Sequence, residues 1–269
     1  MNIRKVLIIY KENVGRSHVN AYETHYASLR FVETTLHKAG IAFKKMPRGS
    51  FFDENHFDLI LSVGGDGTFL DAARPVRKKK LLGLNSDAHH SVGRFCADYA
   101  TCFPKVLERV TTDRFKVKTV QRMQIVLGGK AVPTPILNDV LICHKSPAAM
   151  NHIILKLKGR AERQRSSGLW ISTAAGSSAA IKSAGGNELP FESKNFEYKP
   201  RELFEGHGVH YKLRGGVFKS SDKLAVASQM EEGLIYMDGP HHHLRFRYGQ
   251  VLRVELSKHP LKAIYFYKG

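Results

Sequence analysis

Over the first 110 positions the apolar residues fall into short runs separated by amphipathic stretches, the pattern of buried strands alternating with helices. Lys5–Tyr10, Ile41–Met46, Phe57–Val63 and Leu81–Asn85 predict strands. Tyr22, Tyr26, Leu29, Val32 and Leu36 recur at spacings of three and four, which predicts one face of a helix ended by Gly40. Leu107 and Val110 predict a further helix after Pro104. This order implies an N-terminal three-layer α/β domain with a mostly parallel sheet, in which ligands gather at the carboxyl ends of strands.

From about Phe115 the pattern shortens. Gln121–Leu127 and Ala131–Ile142 alternate around Gly128-Gly129, a hairpin signal. Ile153–Lys158, Leu169–Ser172, Leu224–Ser228, Leu234–Met237, Leu244–Tyr248, Val251–Leu256 and Ala263–Tyr267 predict more short strands, and Gly176–Ala184 a helix. A C-terminal, mainly β-sandwich domain is therefore expected. The domains are read as 1–112 and 113–258, with 259–269 as a tail.

Composition narrows the class. Hydrophobic content of 42% and charged content of 25% fit a globular chain with a core. No apolar run approaches a membrane span, and Met1–Tyr10 enters a strand without the features of a signal peptide. Cys96, Cys102 and Cys143 lack metal-ligand spacing, so reduced thiols in the cytoplasm are expected. The formal charge of +18 fits a handler of polyanions such as nucleotides, polyphosphate or nucleic acid. Arg77-Lys78-Lys79-Lys80 lies in a helix-to-strand connection without interleaved aromatics, which argues against nucleic acid. His241-His242-His243 follows a turn and has no carboxylate or thiolate framework, so no protein-held metal is expected.

The chemistry concentrates in Ser62-Val63-Gly64-Gly65-Asp66-Gly67-Thr68-Phe69-Leu70, where a strand ends in glycines. Such a bend lets backbone N–H groups approach an anion. A carboxylate in its centre would repel phosphate unless it serves a metal, a sugar hydroxyl or a proton transfer, which phosphoryl transfer to a hydroxyl requires. The same residues also suit a plain strand-to-helix turn with Asp66 as N-cap. Asn138-Asp139 interrupts an apolar run and offers donors and acceptors for adenine or ribose, or else marks a bulge or strand-end turn. Gln164–Gly186 combines a strand, a small-residue turn and a short helix, suited to a flat ligand or to a tight packing corner.

Gly64–Leu70, Gly83-Leu84-Asn85, Asn138-Asp139 and Gln164–Gly186 stand in the order and rough spacing of the NAD kinase family, which the chain resembles over most of 57–190. Met237-Asp238-Gly239 is similar to that family's late Asp-Gly strand. The resemblance implies phosphorylation of NAD at the 2′-hydroxyl of its adenosine ribose to give NADP. ATP or polyphosphate would be the donor, and Mg²⁺ or another divalent cation would be carried on its phosphates. It implies a homodimer or homotetramer with no membrane partner, and a tail of the kind that returns to the first domain, although the residues leave that return open.

By position, the resemblance makes Asp66 the general base, with Gly65, Gly67 and Thr68 on the donor phosphates. Asn138 and Asp139 would hold the adenosine half. Phe95, Ser178, Ala179 and Ser183 match NAD-contacting positions, Arg165 a position near the dinucleotide, and Ser167 the family's Asp at the nicotinamide end. Departures gather on the acceptor side: Ser167 for Asp, Asp139 for Glu, Ala180 for Tyr, Ala174 for Pro, Ala175 for a hydroxyl, and an insertion over Asp87–Val92. The expectation is retained phosphoryl transfer with weaker discrimination between NAD and NADH. Two rivals remain. Lipid kinases share the glycine turn but continue differently from Phe69-Leu70-Asp71-Ala72-Ala73, and against a non-catalytic nucleotide- or polyphosphate-binding descendant stands the intact Asp66.

Overall fold

A computed structural model of the chain describes all residues except 13–18, 89–90, 207 and 267–269. It forms two compact units, Met1–Thr119 together with the chain end from Leu261, and Val120–Pro260.

The first unit alternates β1 (Lys5–Tyr10), α1 (Val19–Lys38), β2 (Ala42–Pro47), β3 (Leu59–Val63), α2 (Asp66–Ala73), β4 (Lys80–Asn85), β5 (Asp98–Tyr99), α3 (Phe103–Thr111) and β6 (Lys116–Val120). The sheet runs β2-β1-β3-β4, then the late strand Leu261–Tyr265, then β6, with β5 beside β4. β1, β2, β3, β4, β5 and the late strand pair in parallel. Alternation along the strands sends Val6, Ile8, Leu59, Leu61, Leu82 and Leu84 to one face, under α1 and α3. Gly83 belongs to the other face, where a Cβ on it would stand 2.8 Å from Phe69 Cδ2 of α2. Three layers result. Within α1 the buried stripe holds Leu29, Val32 and Leu36, but Tyr22 is 47% exposed, and Ala21 and His25 take the inward positions.

The second unit contains β7 (Met123–Leu127), β8 (Lys130–Ala131), β9 (Asp139–His144), β10 (Asn151–Leu157), β11 (Arg160–Ser166), β12 (Gly168–Thr173), α4 (Ala180–Ser183), β13 (Phe196–Arg201), β14 (Gly216–Phe218), β15 (Ala225–Ser228), β16 (Gly233–Met237), β17 (His243–Phe246) and β18 (Val251–Leu256). One sheet runs β11-β10-β15-β18-β7-β8 and the other β14-β13-β12-β9-β16-β17. Their inward residues, including Ile125, Ile153 and Val226 from the first and Val140, Ile171 and Ile235 from the second, share one core. The fold is thus α/β followed by a mainly β sandwich.

Several elements differ from the sequence expectation, each for a local reason. The turn at Gly128-Gly129 closes a hairpin, but its second arm stops after Ala131. Pro133 and Pro135 lack the N–H groups a ladder needs, so the chain crosses to the other sheet and begins β9 at Asp139. Strand β11 escaped notice because its inward side chains are Glu162, Gln164 and Ser166. Glu162 accepts the N–H groups of Lys212 and Leu213 and the Gln164 amide, which satisfies this polar stripe. Only Ala180–Ser183 of the expected 176–184 helix is helical. The last expected strand ends at Tyr265, and Tyr267 lies outside the described residues.

The basic run 77–80 has a structural explanation. Glu54, buried in a single 3₁₀ turn, accepts the main-chain N–H groups of Arg77, Lys78 and Lys79 at 2.9–3.2 Å. One carboxylate therefore organises the entry to β4, with the Arg77 charge acting on it. Glu54→Ala is expected to lower unfolding free energy by about 2–4 kcal/mol, by stranding three donors. Urea titration measures this, and a loss below about 0.5 kcal/mol would remove the explanation.

Candidate active site

Strand β3 delivers the chain to Gly64, and α2 begins two residues later with Gly65 as its N-cap. The Gly65 carbonyl accepts Thr68 N–H at 3.0 Å and Phe69 N–H at 3.2 Å. Asp66 is therefore the first helical residue rather than the N-cap, where the helix dipole favours a negative charge. The bend has no room for side chains. A Cβ on Gly64 would lie 2.3 Å from Thr68 Oγ1, and one on Gly65 2.2 Å from Ser91 Oγ.

Asp66 is held from the opposite side, its Oδ1 accepting Phe95 N–H at 2.8 Å. The Phe95 ring is buried and stacks on Phe69 with centroids 5.3 Å apart and planes 7° from parallel, while its carbonyl accepts Tyr265 O–H at 3.4 Å. Phe95 thus offers its backbone to this site. Burial, with the Asp66 charge as a smaller contribution, pushes the Cys96 thiol up to about 12, so it stays protonated.

Around Asp66 lies a cleft of about 670 Å³ whose lining includes Gly65, Gly67, Lys11, His25, Arg48 and Ser86. Arg48 Nε stands 3.8 Å from Asp71 Oδ2, and Asp71 also pairs with Arg74 at 3.3 Å. A Cβ on Gly67 would meet Arg48 Nη1 at 3.6 Å, so this cation overhangs the bend. His25 Nδ1 lies 2.7 Å from Ser86 Oγ, and burial lowers the imidazole pKa despite the main chain of Lys11 beside it. The segment after β4 is organised by Asn85, which donates to Ser91 O at 3.0 Å and accepts Asp87 N–H at 3.1 Å. It brings Ser91 over Gly65; His89 and His90 of the same expected insertion lie outside the described residues.

Asp66, Gly65, Gly67, Thr68 and the Phe95 backbone are thus brought together. Lys11, His25, Arg48 and Ser86 were missed by sequence reasoning. His25 carried a usable signal, being a polar residue in an otherwise apolar helical stripe.

The second unit holds the other expected residues. Asp238, at φ +51°, accepts Leu137 N–H at 3.0 Å, Asn138 N–H at 2.6 Å and Asp139 N–H at 3.3 Å. That clamp fixes the entry to β9. The Asn138 carbonyl accepts Thr173 N–H at 3.0 Å, and a Cβ on Gly176 would sit 2.2 Å from it, so the small-residue turn packs tightly here. Asn138 Nδ2 donates to Asp139 Oδ2 at 3.0 Å. Burial, reinforced by the Asp238 charge, raises the Asp139 carboxyl to about 7.

A hollow of about 250 Å³ is lined by Asp139, Leu141, Trp170, Tyr236, Gly239 and Pro240, a mostly apolar slot with one carboxyl group. Ser178 and Ala179 are half-buried in the turn before α4, and Ser183 is exposed at its end. Arg165 and Ser167 are exposed near the β11–β12 junction, with the Arg165 guanidinium 4.2 Å from the Phe204 ring centroid. None of these five lines the hollow. Among the described residues no group of three or more His, Cys, Asp or Glu is placed to hold a metal, and no helix is long and apolar enough to cross a membrane.

Comparison with known proteins follows these features. Residues 4–115 match the sequence model of a family described as ATP-NAD kinase N-terminal domain. A probable NADH kinase of Oryza sativa subsp. japonica is 29% identical over 263 residues, covering 89% of this chain and 81% of that protein. A crystal structure of an NAD kinase from Archaeoglobus fulgidus in complex with ATP superposes with TM-score 0.74 at 22% identity, covering 98% of this chain and 93% of the other. The structure of yeast NADH kinase complexed with NADH gives TM-score 0.78 at 16% identity, over 99% and 84% of the two chains. At such identities the two structures establish a shared fold.

The raised Asp139 carboxyl makes a pH prediction. At low pH both folded and unfolded chains carry its proton. As pH rises from the ordinary value of 3.8 towards about 7, the unfolded chain releases the proton first, and the stability due to the neutral buried form is lost. Asp139→Asn should therefore lose less stability than the parent between about pH 4 and about pH 8, read as thermal unfolding midpoints. Parallel pH profiles for the two proteins would contradict this.

Proposed function

We propose that this chain is a kinase of the NAD kinase family, whose N-terminal domain model residues 4–115 match, and that it transfers the terminal phosphoryl group of ATP or polyphosphate to the adenosine 2′-hydroxyl of NAD(H), giving NADP(H). The observation that carries this reading is Asp66, held by Phe95 N–H at the head of α2 in a cleft flanked by Lys11 and Arg48.

The chemistry follows from that arrangement. With Oδ1 engaged by Phe95, the Asp66 carboxylate takes the 2′-hydroxyl proton as the sugar oxygen attacks the terminal phosphorus. The bond from phosphorus to the bridging oxygen breaks, and the shortened donor leaves with that electron pair. Gly65 and Gly67 keep the bend bare enough for phosphate oxygens to approach, with Thr68 bracing it from within the helix. Arg48 and Lys11 offset the donor's charge. A divalent cation carried on the donor phosphates would neutralise the charge that develops on the leaving group.

Asn138 and Asp139 are assigned to the adenosine half. A carboxyl that titrates near neutrality can donate as well as accept, which suits an adenine edge. Phe95, Ser178, Ala179, Ser183 and Arg165 are retained as dinucleotide contacts. Ser167 stands where the family carries a carboxylate, so the preference for the cationic oxidised ring is weakened, and NADH is included as acceptor. Relatives named NADH kinase agree with that choice. A homodimer or homotetramer in the cytoplasm completes the reading, with Cys96, Cys102 and Cys143 unpaired.

Two measurements test it. Asp66→Asn should lower kcat by about 10²–10⁴ while ATP still binds by calorimetry. Undiminished NADP(H) formation would exclude Asp66 as base, and binding without turnover in the parent would favour a non-catalytic nucleotide-binding protein. Ser167→Asp should raise the NAD-to-NADH ratio of kcat/KM by about tenfold, the scale of one charge pair at a protein surface. A ratio that stays put or moves towards NADH would reject the acceptor assignment.

A further inference from the structure

The inward stripe of α1 contains one residue its packing does not explain. His25 is 2% exposed among Ala21, Leu29 and Val32, positions at which the helix otherwise buries aliphatic carbon. Its ring is anchored at one nitrogen, Nδ1 lying 2.7 Å from Ser86 Oγ, while Ser28 Oγ ties the Ser86 carbonyl to the same helix at 3.1 Å. The other nitrogen, Nε2, is buried and makes no hydrogen bond of normal geometry among the described residues, although the main chain of Lys11 lies beside the ring. Leaving such a group unpaired costs about 1–3 kcal/mol, which an aliphatic side chain would avoid.

The imidazole forms part of the wall of the cleft around Asp66, and Lys11 and Arg48 belong to the same lining. A buried ring in the wall of a cation-lined cleft, with no hydrogen bond of normal geometry at Nε2, can be completed by a ligand atom. The chemistry of that wall selects an anionic oxygen. When the Ser86 hydroxyl donates to Nδ1, the neutral ring carries its proton on Nε2 and donates it into the cleft. Burial keeps the ring neutral, so it supplies direction while Lys11 and Arg48 supply charge.

We propose that His25 is a positioning residue for the phosphate chain of the donor, its Nε2–H holding a phosphate oxygen so that the terminal phosphorus is presented to Asp66. This rests on the reading of the cleft as the donor side of a phosphotransferase.

Two conservative variants separate the nitrogens. The Gln side-chain amide reaches the place of Nε2, whereas that of Asn reaches only the place of Nδ1. Calorimetric titration with inorganic tripolyphosphate and with MgATP, together with steady-state KM for ATP and NADH, reads the outcome. His25→Asn should raise tripolyphosphate Kd and ATP KM by about tenfold and leave NADH KM within about twofold, whereas His25→Gln should stay within about threefold of the parent on all. Unchanged tripolyphosphate affinity in both variants, or a rise confined to NADH KM, overturns the assignment.

Thermal midpoints show whether each variant is folded. If either is not, the parent protein decides, because tripolyphosphate must then shift the His25 Nε2 resonance in a ¹⁵N spectrum, and no shift overturns the proposal. The two readings fail separately. Tripolyphosphate binding that depends on His25 without turnover in the parent defeats the proposed reaction alone. Turnover with donor affinity indifferent to His25 defeats this inference alone.

Discussion

The bond from Phe95 N–H to the Asp66 carboxylate is the contact on which the candidate site depends. It exists because two packing conditions are met. Gly64 and Gly65 let the chain turn from β3 into α2 where Thr68 and Ser91 leave no space for a Cβ. Gly83 leaves room for the Phe69 ring, which in turn lies flat on Phe95. Phe95 is thereby seated with its amide facing Asp66. A carboxylate at the head of a helix, with one oxygen pinned by a backbone donor, has lost most of its rotamer freedom before any ligand arrives. In the proposed reaction, preorganisation of this kind would hold the proton acceptor in place.

The second unit uses a different device for the same end. Asp238 adopts a left-handed conformation that is costly for a residue with a side chain, and recovers the cost through three N–H groups at the start of β9. That clamp presents Asn138 and buries Asp139 beside a second carboxylate, which lifts its titration into the neutral range. In the proposed reaction this polar strand start serves the adenosine half of the dinucleotide.

Much of this was legible in the sequence. Uninterrupted apolar runs announced β1, β3 and β4 because a parallel sheet covered on both faces needs no polar alternation. The glycine bend and its carboxylate were equally plain, since few other functions require three glycines around an acid. What stayed hidden depended on contacts far apart in the chain. Strand β11 is inward-polar and is satisfied by Glu162 reaching Lys212 and Leu213, a solution no local pattern encodes. The alternative of Asp66 as an N-cap gives way because Gly65 holds that place. Phe95 also buries its ring on Phe69 and gives its amide N–H to Asp66, a pairing 29 positions apart that no local pattern encodes. His25 and Arg48 join the cleft only through the fold, which places β1 between β2 and β3 and so brings the end of β2 one strand away from the end of β3.

The most direct measurement is a crystal structure of the protein with NADH and a non-hydrolysable ATP analogue. The account predicts the adenosine 2′-oxygen within about 2.6–3.2 Å of an Asp66 carboxylate oxygen, with the donor's terminal phosphate on its far side. A 2′-oxygen bonded elsewhere, or the nicotinamide half of the dinucleotide lying against Gly64–Thr68, would contradict it.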